Sequence, residues 1–250
     1  MHTAVKKSAL LELARSRQMD TMDGYSRKYF QFKDFDCDCD HVVPWTTSAC
    51  NVDADLMLIA QDWASEDFLN RLTETQLQAQ RALGQFPDLP TNTNTKELLD
   101  DYMSLSFSET YATNAFAFVK PGKMDAHIPF HDLVRSAAAY ALPQIAIVRP
   151  KMVLCLGSAS FNAVRRAIRN IGSEPAGKAN RKWMPLADAW RIEGPYHTEY
   201  LGIPVFGVAH PGANGTRASG GPGVTTPRWQ ALGNFFMTVR NRPISALGQR

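Results

Sequence analysis

Three polar residues of this chain stand at or near the ends of apolar runs. Asp62 follows Leu56-Met57-Leu58-Ile59-Ala60-Gln61, and His210 follows Ile203-Pro204-Val205-Phe206-Gly207-Val208-Ala209. Asn114 lies in the run from Thr110 to Phe118. A carboxylate can take a proton from water or face a developing cation. An imidazole can donate a hydrogen bond to a departing anion. A side-chain amide carries both donor and acceptor, so it can read a planar polar edge. If the runs are parallel strands of one sheet, Asp62 and His210 emerge at the same edge, where open α/β sheets place their ligands. Each residue also has a plainer structural use. Asp62 suits a helix start, His210 a turn held by backbone carbonyls, and Asn114 a turn-stabilising side chain.

Four buried strands are needed to position these groups, over about 54–60, 110–118, 152–156 and 200–208. Helical spacing separates them. One helix spans 3–17, another starts near Ser65, and a third is capped by Thr95 after a breaker-rich loop at 84–95. A long helix covers 129–148, with Pro143 as a source of a kink. Gly157-Ser158 opens a further helix, residues 172–196 read as a loop, and a last helix runs from about Thr226 to Val239. Strands alternating with helices predict a three-layer α/β/α sandwich around a central, mostly parallel four-stranded sheet. That domain covers 51–250, and residues 1–50 read as an N-terminal helix with an irregular extension.

Composition is ordinary for a globular protein, with 44% hydrophobic and 20% charged residues among 250 and a formal net charge of +3. The charge permits nucleic-acid binding without arguing for it. No stretch approaches the ~20 apolar residues of a bilayer span, and the first residues lack a signal-peptide core. The expectation is a cytoplasmic monomer with no membrane partner. Of the four cysteines, Cys155 sits in an apolar run, while Cys37, Cys39 and Cys50 precede the first strand near His41. Their spacing is not that of a zinc ribbon, so no metal is expected.

Two features suit phosphate. The amides of the helix opened by Ser158 are free to hold an anion. The small-residue loop 212–223, with Asn214 and Arg217, lets backbone approach a phosphate closely. Tight turns and surface loops use the same residues without a ligand.

Taken together, Ala60-Gln61-Asp62-Trp63, Thr113-Asn114, Leu156-Gly157-Ser158 and His210-Pro211-Gly212-Ala213 resemble, in order and context, the motifs of the uracil-DNA glycosylase superfamily over about 54–240. The resemblance implies hydrolysis of the N-glycosidic bond of uracil or a related deaminated base in DNA. Asp62 would orient or activate water and stabilise the sugar cation, and His210 would stabilise the departing base. Asn114 would recognise the base edge and the Gln61 backbone would help hold it. Phe86 would stack on the base, with Phe68 as the alternative. Ser158, Asn214 and Arg217 would contact DNA. No cofactor is expected, because the cysteines are not placed for an iron–sulfur cluster. Trp63-Ala64 and Asn214-Gly215 depart from the family pattern, and the latter stands where an apolar wedge is usual. Two other readings fit the residues. One is a nucleic-acid-binding relative without catalysis, using Lys178, Arg181, Lys182 and Arg217 on phosphates. The other is a hydrolase of a different nucleoside-type substrate.

Overall fold

The apolar runs become strands because a segment with no polar side chains is stable only where both sheet faces are covered. The computed structural model describes residues 1–29, 39–86, 89–171, 183–191, 195–212, 215 and 220–241. Strands β1 (Leu56–Ala60), β2 (Tyr111–Asn114), β3 (Met152–Leu156) and β5 (Ile203–Val208) are buried at every residue. A fourth strand in sequence, β4 (His197–Tyr200), alternates exposed and half-buried positions. The sheet therefore has five strands, in the order β2-β1-β3-β5-β4. All neighbours are parallel except β4 and β5.

The expected four-stranded sheet is corrected by β4. Leu201 and Gly202 both have positive φ, 55° and 75°, and so make a two-residue hairpin turn between Tyr200 and Ile203. The segment 200–208 thus holds the last residue of β4, a turn and β5, and the rest of β4 lies between it and the loop expected at 172–196. One-sided burial and the polar residues His197 and Glu199 conceal this edge strand in the sequence.

The described helices are α1 (Thr3–Met19), α2 (Glu66–Leu69), α3 (Glu74–Leu83), α4 (Pro90–Met103), α5 (Phe130–Ser136), α6 (Leu142–Val148), α7 (Ser158–Ile171), α8 (Leu186–Ala189) and α9 (Pro222–Arg240). Helix α4 packs on α9, while α5, α6 and α7 form a second group. With four strands wholly buried, this is compatible with a three-layer α/β/α arrangement. Between α5 and α6 the chain makes a π turn, Ala137–Ala141. Pro143 has no N–H to donate to the preceding turn, and the wider turn ahead of it accommodates that loss.

Helix α4 begins at Pro90 rather than at Thr95. Proline suits a first helical position, and the polar run after it is held by side chains. Thr95 Oγ1 donates to the Thr91 carbonyl at 2.6 Å, inside the helix. Asn92 and Asn94 reach out of it, to the Phe86 carbonyl at 2.7 Å and the Pro211 carbonyl at 2.6 Å. A segment that composition marks as loop is a helix because its amides fasten two other loops.

The N-terminal segment shares the core of the sheet domain. Lys6 Nζ donates to the carbonyls of Val52 and Val148 at 3.1 and 2.9 Å and pairs with Asp53 at 2.9 Å. Thr46 Oγ1 donates to the Ala112 carbonyl of β2 at 2.7 Å. Among the described residues no helix is long and apolar enough to cross a membrane.

Candidate functional site

Strand register brings the candidate residues together. Asn114, the last residue of β2, is the Cα partner of Ala60. Leu156 at the end of β3 is level with Val208 near the end of β5. Parallel strands that stop together point their C-terminal ends at one crevice. The crevice lies beside the switch point between β1 and β3, where the strand order reverses: β2 is added on one side of β1, and β3 and β5 on the other. A cavity of about 750 Å³ opens there, lined by Gln61, Asp62, Phe86, Asn114, Ser158 and His210 among others. Its volume falls within the roughly 300–1,000 Å³ usual for small-molecule sites.

Asp62 has a side chain only 8% exposed and pairs with Lys120 Nζ at 2.9 Å. Gln61 Nε2 donates to its other oxygen at 2.9 Å. Burial pushes the carboxyl above its ordinary value, while Lys120, Gln61 and His210 pull it back. Asn114 is 1% exposed, and its Oδ1 has no hydrogen-bond partner. A buried amide oxygen left without a donor is costly unless a ligand satisfies it. The β1–β2 ladder ends with the Ala60–Asn114 pair. The next amides, of Ala115 and Phe116, reach only the Ala60 and Gln61 carbonyls.

His210 accepts a hydrogen bond at Nδ1 from the Gly212 amide, at 3.1 Å. Burial lowers its pKa below 6.5, although the Asp62 carboxylate opposes the shift. A neutral ring that accepts at Nδ1 carries its proton on Nε2, so it offers a donor without a full positive charge. Two glycines lie against His210. Gly157, at φ +98°, places the start of α7 against it, and a Cβ there would stand 3.6 Å from His210 Cβ. At Gly215 a Cβ would come within 2.1 Å of the His210 carbonyl oxygen.

The depressed His210 pKa has a consequence for stability. As pH falls below 6.5, the unfolded chain takes up a proton that the folded imidazole resists, so the folded state loses stability. His210→Asn removes this contribution. Denaturant midpoints measured on either side of 6.5 are expected to fall less steeply with acid in the variant.

Phe86 borders the cavity and packs between Trp63, at 5.2 Å, and Phe68, edge-on at 4.7 Å. Trp63, where the sequence departs from the family pattern, is 7% exposed and donates from Nε1 to the Gly84 carbonyl at 3.0 Å. Its bulk props the Phe86 loop. Ser158 opens α7 at the cavity wall. Asn214 and Arg217 lie outside the described residues, as do Lys178, Arg181 and Lys182. Cys37 also lies outside them, Cys39 is buried and donates to the His41 carbonyl at 3.2 Å, and Cys50 is exposed.

Three further lining groups leave no local mark in the sequence. Lys120, 3% exposed, reaches the cavity from the segment after β2. That segment bridges to Ser65, beyond β1, and so sets the lysine beside Asp62. Trp45 arrives from the N-terminal segment, with its Nε1 buried and unpartnered. Arg228 of α9 borders the cavity with its guanidinium over the Trp190 ring at 5.4 Å. The pattern around Lys120 marks only a strand that ends.

The sequence matches no protein-family model and no curated protein.

Proposed function

We propose that the chain is a DNA base glycosylase of the uracil-DNA glycosylase type, hydrolysing the N-glycosidic bond of uracil or a related deaminated base. The observation that carries this reading is the unpartnered, buried amide oxygen of Asn114 in the same cavity as a neutral imidazole and a desolvated carboxylate. An amide presents an acceptor and a donor side by side. The uracil edge presents N3–H and O4 in the complementary order. Filling that amide with an everted base removes the cost of leaving it empty, and everting a base costs roughly a few kcal/mol.

The remaining steps follow from charge. As the bond to C1′ lengthens, the sugar becomes an oxocarbenium-like cation and the base an anion. His210 Nε2–H donates to the base oxygen on which charge accumulates. A neutral donor held in place by Gly212 needs no reorganisation at that moment. Asp62, anchored by Lys120 and Gln61, faces the cation and orients the water that attacks C1′. Phe86 supplies an apolar face for the base, and the amides at Ser158 suit a phosphate of the strand.

An oligonucleotide panel carrying uracil, hypoxanthine or xanthine, followed by alkaline cleavage at abasic sites, tests the reading. Release of at least one base is expected. Release of none would favour a protein that binds nucleic acid without cutting it. Gly215→Ala is expected to lower release by about 100-fold, because a Cβ there displaces His210, and a misplacement near 1 Å costs that much. Single-turnover rates on the same oligonucleotide check it.

A further inference from the structure

The mechanism above uses Lys120 only as the counter-charge of Asp62, yet its placement fits a second step. Nζ lies 2.9 Å from Asp62 Oδ2 and 2.5 Å from the Met124 carbonyl, at the end of a side chain 3% exposed that lines the cavity. A primary amine beside a carboxylate in a desolvated pocket is the arrangement from which lysines form Schiff bases. At 2.9 Å the carboxylate is placed to accept a proton from the ammonium as the amine attacks. We propose that Lys120 is the nucleophile of an abasic-site lyase activity in the same cavity, cleaving the strand after the base has left. The proposal rests on the glycosylase reading, which puts C1′ of the sugar next to Asp62.

The step balances without a co-reactant. Lys120 passes one proton to Asp62, and Nζ adds to C1′ of the ring-opened aldehyde. The carbinolamine loses its hydroxyl as water, taking the proton back from Asp62, and leaves an imine between Nζ and C1′. The imine makes the C2′ protons acidic. Asp62 removes one of them, the electron pair forms the C2′–C3′ double bond, and the C3′–O bond breaks. The 3′ side of the strand departs with a 5′-phosphate. Water then hydrolyses the imine, which regenerates the amine and releases the unsaturated aldehyde.

Borohydride reduction of the imine tests this on the full chain. The probe is a single-stranded oligonucleotide with a preformed abasic site, so base release is not required. Reduction is expected to give a covalent protein–DNA adduct, and proteolysis with tandem mass spectrometry is expected to map it to Lys120. No adduct, or an adduct at another amine such as the N-terminus, would overturn the proposal. Lys120→Arg keeps a positive charge opposite Asp62 but has no amine able to form an imine, and it is expected to lose the adduct. Undiminished trapping in that variant would equally overturn the assignment. Base release from a uracil oligonucleotide is measured in parallel. Release without trapping removes the lyase and leaves the glycosylase reading standing. Trapping without release does the reverse.

Discussion

Replacing Asp62 with asparagine lowers base release by about 10²–10⁴-fold, the range associated with losing a positioned acid–base group. The amide has nearly the shape of the carboxylate and can still accept from Gln61, but it leaves Lys120 without its counter-charge, so the rates are read only under conditions where the variant is folded. An uncharged side chain neither stabilises the sugar cation nor takes a proton from water. On the proposed reading the wild-type protein should also lose base release in acid as Asp62 is protonated. Burial raises this carboxyl above 3.8, so the acid limb lies higher than for an exposed aspartate. In Asp62→Asn the residual rate should lack that limb. Single-turnover rates of both proteins across pH, with thermal unfolding as a control for folding, check the expectation.

Lys120→Met is expected to destabilise the fold by about 3–5 kcal/mol, the cost of leaving one member of a buried ion pair without its partner. The side chains of Lys120 and Asp62 are only 3% and 8% exposed, so solvent cannot replace the lost contact. A second substitution should return much of that loss. In Asp62→Asn/Lys120→Met neither charge remains, and the double variant should be more stable than Lys120→Met alone. Denaturant unfolding of the four proteins in this cycle measures the coupling. Strictly additive losses would mean that the two charges do not support each other.

The parts of the site legible in the sequence are those fixed by single runs of residues. β1, β3 and β5 are short, wholly apolar segments, and the polar residue after such a run can be placed at a sheet edge without knowing what lies beside it. Asp62 and His210 are of this kind, and register places Asn114 level with Ala60. The edge strand β4 was not legible, because only one of its faces is covered and its turn, Leu201-Gly202, includes a non-glycine residue at φ 55°. The start of α4 was obscured by threonine and asparagine, whose side chains bond to carbonyls at Phe86 and Pro211 that only the folded chain brings near. Lys120 and Trp45 were missed for a similar reason. Both reach the cavity through long-range pairing, of Lys120 with Ser65 and of the Trp45 turn with β2, and neither leaves a local pattern.

The neighbours of the two leading residues acquire separate roles in this arrangement. Trp63 lines the cavity beside Phe86, and its indole N–H is bonded to the Gly84 carbonyl. Gly215 is required by the close approach of the His210 carbonyl, so any larger residue at that place would move the imidazole. His210 and Asp62 are thus held by different loops, one fastened through Asn94 to α4 and the other through Lys120 to the segment after β2.

The most direct measurement is chromatographic detection of free base released from a single-stranded uracil-containing oligonucleotide by the wild-type protein, Asp62→Asn and His210→Ala. The account predicts free uracil and an equal amount of abasic sites from the wild type, with release greatly reduced in both variants. Absence of free base with the wild type, or undiminished release in the variants, would contradict it.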